Sequence, residues 1–183
     1  MSSDARSNRV VAVMQCILNQ SARAPRCAVY PGANTDLLEV LSRRGIGILQ
    51  MPCPEMAFMG LARARDEGLS IRDVIDTPAG HECCREIARG VVDLIEDYLK
   101  NGCAVHAILG GDVGSPGCAV HEAESSSGRQ ALAESSGVLM YELAAELLSR
   151  RIDVPIHGVR DSSPETLAED IAWVEARLDA AGA

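Results

Sequence analysis

Val10-Val11-Ala12-Val13-Met14-Gln15-Cys16-Ile17-Leu18 is the stretch that decides the fold. Its β-branched residues favour an extended backbone, and its apolar character is continuous rather than alternating. Such a run belongs to a strand covered on both faces by helices, the setting of a parallel sheet. Residues 46–51, 104–109 and 154–159 share the character and read as three further buried strands. Helical patterns separate them. Asn34 can cap a helix carrying Leu37, Leu38 and Leu41, with Gly45 ending it. Cys84, Ile87, Val91, Ile95 and Tyr98 recur at helical spacing as far as Asn101-Gly102. Residues 138–150 are rich in Leu and Ala, and Ser163-Pro164 opens a last helix with the stripe Leu167, Ile171, Val174 and Leu178. This alternation predicts one α/β domain over residues 1–183, with residues 1–9 flexible. Its mainly parallel sheet is flanked by helices in a Rossmann-like three-layer architecture.

Composition narrows the function. With 183 residues, 47% of them hydrophobic, the chain can build a real core, although only 3% are aromatic. A net charge of -9 argues against a nucleic-acid partner, because an acidic surface repels a polyanion. Seven cysteines without a paired spacing do not suggest a secreted disulfide framework, so a reducing, cytoplasmic setting is expected. The apolar run 10–14 is too short for a signal peptide. Residues 45–59 are interrupted by Pro52, Pro54 and Glu55, so no membrane span is expected. The Ser-rich patch 125–127 is too brief for a linker and reads as a turn or a helix start.

The connections are lopsided. Helix-to-strand links are short (43–45, 101–103, 151–153), whereas strand-to-helix links are long (19–33, 53–80, 110–136). In a parallel sheet all the long links leave one edge, where ligands gather, and long loops in compact domains tend to be functional. Each long link begins next to a cysteine: Cys16 follows residues 10–14, Cys53 ends the second run, and Cys118 comes soon after 104–109. Any one of them alone reads more simply as a buried core thiol. Together, at equivalent strand ends, they predict a shared site at which three thiolates hold a metal cluster with one position open. No CxxC pair suggests a zinc ribbon or a thioredoxin-like site.

Other residues stand around these thiols. Pro52-Cys53-Pro54-Glu55 fixes the backbone on both sides of Cys53 and sets a carboxylate beside it, suited to general acid or base work. Gly110-Gly111-Asp112-Val113-Gly114-Ser115-Pro116-Gly117-Cys118 is glycine-dense after a strand, which lets backbone N–H groups approach an anion or cluster sulfurs. It matches neither a phosphate loop nor a dinucleotide fingerprint. Ser115 is placed to share the pocket, while Asp112 reads as a turn cap. Cys83 and Cys84 are expected at a helix start, Cys84 in the core. Cys27 and Cys103 have no evident partner, and His121 is the histidine best placed to join the site. Arg63 and Arg65 read as surface residues, or as contacts to an anionic substrate.

The set Cys16-Ile17-Leu18-Asn19, Tyr30-Pro31-Gly32, Pro52-Cys53-Pro54-Glu55, Asp76-Thr77-Pro78 and Gly114-Ser115-Pro116-Gly117-Cys118 resembles the TudS-related desulfidase family, relatives of 2-thiouracil desulfurase. The resemblance runs from about residue 10 to residue 156. It implies a 4Fe–4S cluster bound by Cys16, Cys53 and Cys118, with a fourth iron free of protein ligands. It also implies removal of sulfur from a small thiolated substrate, assisted by Glu55 and Ser115. The chain departs from the family's SPSCG pattern in having Gly117 and Ala119 beside Cys118. Two other functions fit the residues. One is a non-catalytic metal- or iron–sulfur-binding protein, with a fourth protein ligand closing the site. The other is a metal-free sulfur carrier acting through a cysteine persulfide, in which one cysteine alone is essential.

Overall fold

The computed structural model describes residues 4–123 and 131–180. The patch 125–127 and residues 1–3 lie outside the described residues, and Arg9, counted with the flexible segment, is the first residue of a strand. The main sheet has four strands, all parallel: β1 (Arg9–Met14), β2 (Gly47–Met51), β3 (Ala104–Gly110) and β6 (Ile156–Gly158), in the order β2-β1-β3-β6. A small antiparallel pair, β4 (Glu122–Ala123) with β5 (Ala131–Leu132), lies apart from it and left no periodic trace in the sequence. Two helical layers flank the sheet. On one side α5 (Pro78–Lys100) packs on α6 (Val138–Ser149) and on β3, and the other layer pairs α2 (Thr35–Arg43) with α7 (Pro164–Ala180). This is the expected α/β three-layer fold around one hydrophobic core.

β1 is central and the most deeply buried, with Val11, Ala12, Val13 and Met14 all at 0% exposure. The first apolar run is shorter as a strand than its sequence suggested. After Met14 the chain coils into the single turn α1 (Gln15–Leu18), so Cys16 and Ile17 are helical. β2 was expected to be buried, yet Gly47, Ile48 and Gln50 are exposed, because among the described residues it is the edge strand of the sheet. β6 is trimmed to three residues after Pro155, whose carbonyl accepts from Ile108 N at 2.9 Å. Between Val10↔Val105 and Ala12↔Ile108 the register slips by one, so β3 carries one extra residue.

The caps bear out several readings and correct one. Asn34 Oδ1 accepts from Leu37 N at 3.0 Å to open α2, and Gly45, at φ 64, closes it in the left-handed conformation that glycine adopts without strain. α5 starts earlier than its apolar stripe indicated. Thr77 caps it and Pro78 takes the first position, so Cys83 and Cys84 sit further along the helix rather than at its start. The long link 53–80 is not structureless either, for it holds α3 (Pro54–Met59) and α4 (Ile71–Ile75). No helix among the described residues is long and apolar enough to cross a membrane.

His81 clamps three helices. Its Nδ1 lies 2.7 Å from Glu142 Oε1 on α6, and its Nε2 lies 2.8 Å from Asp76 Oδ1 at the end of α4. The bond to Glu142, then that to Asp76, raises its pKa above the usual 6.5 against an opposing effect of partial burial. The folded state therefore holds this proton more tightly than the unfolded chain. The contribution is full below the unfolded pKa and is lost as pH rises through the raised folded value. Thermal melts should thus show a stability difference between the parent and His81→Gln that is largest in mildly acidic buffer and shrinks on alkaline titration. A difference independent of pH across that window would contradict the clamp.

Candidate functional site

With β1 paired to β2 on one side and β3 on the other, the chain reverses direction across the sheet at β1/β3. The crevice outside the carboxyl ends of strands at such a switch point is where α/β folds bind ligands. A cavity of about 580 Å³ opens there. Cys16, Cys53, Cys118, Glu55 and Ser115 all line it, so the residues singled out from the sequence are brought together. The three thiols are buried.

Each is positioned by its own local chemistry. Cys16 is lodged in α1, where Gln20 Nε2 donates to its carbonyl at 3.0 Å. Gln15, beside it, accepts from Cys53 N at 3.1 Å and so ties the end of β1 to the end of β2. Cys53 is the extended residue before α3, and Pro54 occupies the first helical position, where a missing N–H costs nothing. The next residue, Glu55, lines the same cavity and is only 6% exposed. Cys118 is returned to the sheet by a tight loop: Ala119 N donates to Ser115 O at 3.1 Å, and Gly111 N to Cys118 O at 2.7 Å. That loop requires glycine for closeness. A Cβ on Gly111 would stand 2.5 Å from Cys118 Sγ, and one on Gly117 would stand 2.8 Å from Pro54 Cγ and 3.1 Å from Glu55 Cγ.

Glu55 is the hub. Its Oε1 accepts from Ser115 Oγ at 3.3 Å and from Gly117 N at 3.2 Å, and its Oε2 pairs with Arg63 Nε at 3.3 Å. Ser115 Oγ in turn lies 3.1 Å from Cys118 Sγ. A continuous chain of polar contacts thus joins the carboxylate to one thiol through the serine and to another through Arg63, whose Nη2 lies 3.3 Å from Cys53 Sγ. The thiols differ electrically. The interaction with the neighbouring Cys118 thiol, and then the Arg23 charge, holds Cys16 below the usual thiol range. Cys118 is pushed up by the same interaction and by burial. Burial raises Cys53, opposed by the Met56 backbone N–H and by Arg63.

The remaining candidates divide. Asp112 caps a turn through Gly114 N at 3.1 Å, as read from the sequence, and also holds Ser162 Oγ at 2.6 Å. His121 does not line the cavity. Its ring nitrogens are engaged by Ser135 Oγ at 2.9 Å and Val113 O at 3.0 Å. Cys84 is in the core, its thiol pushed up to about 12, chiefly by burial. Cys27, for which no partner was evident, lines the cavity from an exposed position. Arg63 corrects the reading most sharply, since it is not a surface residue. Arg23 and Asp161 were not picked out. They form an ion pair, with Asp161 buried and Arg23 partly so, joining the loops after β1 and β6 across 138 positions, a separation that leaves no local signal. Among the described residues, Asp161 Oδ1 has no hydrogen-bond partner.

The donor set suits an iron–sulfur cluster. Three soft thiols line one cavity, with room cleared at Cys118 by the absent Gly111 side chain. Among the described residues no three His, Cys, Asp or Glu side chains converge closely enough to grip a single metal ion. A cluster sets its thiolates further apart than one ion does.

No protein-family profile matches the chain, and no solved structure matches it. It is similar to an uncharacterized protein of Methanocaldococcus jannaschii, with 28% identity over 96 residues. That stretch is 52% of this chain and 59% of the archaeal protein, so the chain spans little more than half of that relative's length.

The glycine requirement can be checked without any cofactor. Gly111→Ala drives a methyl into Cys118 Sγ and should cost the metal-free protein about 1–3 kcal/mol in urea unfolding. Gly114→Ala meets nothing nearer than Asp112 Oδ1 at 3.8 Å and should be tolerated. Equal effects of the two would contradict the packing described.

Proposed function

We propose that this protein is an iron–sulfur-dependent desulfidase that removes sulfur from a small thiolated compound, of thiouracil-like chemistry, with Cys16, Cys53 and Cys118 as the ligands of a 4Fe–4S cluster. The observation that carries the reading is the convergence of these thiols, from the ends of three neighbouring parallel strands, on a cavity that also contains a buried carboxylate. When bound, the cluster supplies a thiophilic Lewis acid, through an iron without a protein ligand, that makes the thione carbon more electrophilic.

The chain's own residues supply proton handling. Glu55, whose Oε2 pairs with Arg63 Nε, takes a proton at its carboxylate oxygens from the water that attacks the thione carbon. The new C–O bond forms as the π pair of the C=S bond moves to sulfur. The second water proton passes to sulfur as the carbonyl forms and the C–S bond breaks, so hydrosulfide leaves, Glu55 returns its proton to solvent, and one water is consumed with no oxidant needed. Ser115 donates to Glu55 Oε1 and keeps that oxygen oriented. Cys16 lining the cavity together with the Arg23 cation favours one other reading, a metal-free sulfur carrier working through that residue.

Substitution separates the two readings. Cys16→Ser, Cys53→Ser and Cys118→Ser should each abolish iron binding after anaerobic reconstitution, because a hydroxyl is a poor ligand for a soft metal site. Cys27→Ser, Cys84→Ser and Cys103→Ser should keep near-normal iron. If Cys16 alone proves essential and the parent binds no iron, the carrier reading takes its place. Catalysis has its own test. Glu55→Gln should retain the cluster yet release sulfide from thiolated bases roughly 10²–10⁴-fold more slowly, with a smaller loss for Ser115→Ala. Parent-rate turnover by Glu55→Gln would remove the acid–base role.

A further inference from the structure

Arg63 is the largest fully buried side chain that carries a charge, at 1% exposure. A guanidinium stays charged at any ordinary pH, and an unpartnered one in the interior is very costly. Here every nitrogen is engaged. Nη1 donates to the carbonyls of Gly60 and Leu61 at 3.2 and 2.9 Å, and Nη2 to the Ala22 carbonyl at 2.6 Å. The two contacts left over, Nε to Glu55 Oε2 and Nη2 to Cys53 Sγ, are both 3.3 Å long and both directed at the site. The backbone at Arg63 takes a left-handed φ of 53, uncommon for a residue with a side chain, and the side chain is turned inward rather than to solvent.

We propose that Arg63 is a positioning residue: its Nε fixes the Glu55 carboxylate, and its charge stands against the Cys53 sulfur when that sulfur is a metal ligand. The charge role rests on the desulfidase reading above, while the fixing of Glu55 holds in the metal-free chain as well. Glu55 Oε1 is already held by Ser115 and Gly117, so the Arg63 bond to Oε2 is what stops the carboxylate rotating about its own axis. The Ala22 bond reaches the loop after β1, so the same side chain links three parts of the cavity wall.

The test uses Arg63→Lys and Arg63→Gln in the anaerobically loaded protein. It reads iron content, sulfide release and the reduction potential of the cluster, and a purely structural arginine would leave the potential unmoved. Lysine keeps the charge but not the fork. It should hold the potential near the parent's while turnover falls roughly 100-fold, the scale of a small misplacement of a reacting group. Glutamine should lose turnover equally and also lower the potential, since the reduced cluster carries more negative charge and has lost a neighbouring cation. Full iron with an unchanged potential in Arg63→Gln overturns the charge role, and parent-rate turnover in Arg63→Lys overturns the positioning role. If Arg63→Gln does not fold, Arg63→Lys decides the positioning role, and the neutral, similarly long Arg63→Met decides the charge role by the same potential measurement. A parent that takes up no iron defeats the cluster reading and with it the charge role. The positioning of Glu55 is then decided by a double-mutant cycle of Arg63→Lys and Glu55→Gln in metal-free thermal melts. Non-additive losses support the pairing, and additive losses overturn it.

Discussion

Parallel pairing of β1 with both β2 and β3 is the constraint on which the site depends. The register Met14↔Met51 and Val13↔Leu109 brings the carboxyl ends of three strands level, so whatever follows each strand arrives at the same crevice. Cys16 needs only the one turn of α1 to reach it, and Cys53 only the step into α3. Cys118 has further to come, and its loop returns through the bridge between Gly111 and Ala119. The core therefore does more than stabilise. By fixing strand register with fully buried Val11, Ala12, Val13, Ile108 and Leu109, it sets the spacing of the thiols.

The second constraint is electrostatic. An acidic chain has gathered thiols and a carboxylate into one poorly solvated place, where like charges repel strongly. The structure answers with two arginines from different loops: Arg63, paired with Glu55 and touching Cys53, and Arg23, whose field reaches Cys16. Each is held by backbone carbonyls or a buried acid, so the cations are fixed rather than recruited from solvent. Breaking such a buried pair from one side leaves the other charge exposed to its full desolvation cost.

Much of this was legible in the sequence, because it was written locally. The continuous apolar runs gave the parallel sheet, Asn34 and Gly45 bounded α2 as read, and the cysteines at strand ends marked the edge where the cavity lies. The errors have physical causes. Residues 15–18 are as apolar as the strand before them, and hydrophobicity cannot separate a buried strand from a buried helical turn. The exposure of β2 depends on which strand is at the sheet's edge, a matter of topology rather than pattern. Arg63 looked like a surface residue because only the Gly60 and Leu61 carbonyls among its partners are close in sequence, and backbone carbonyls leave no mark in a sequence pattern. Its other partners, Ala22, Cys53 and Glu55, are brought to it by the fold. The Arg23–Asp161 pair was invisible for the same reason.

The proposed role of the three strand-end thiols is to hold a four-iron cluster. Its most direct measurement is iron and acid-labile sulfide per chain, with the visible spectrum, after anaerobic reconstitution of the unmodified protein. About four of each per chain, with the broad absorption of an iron–sulfur cluster that bleaches in air, is the predicted result. A protein that stays colourless and binds no iron, or one that takes a single zinc ion in its place, would contradict the account.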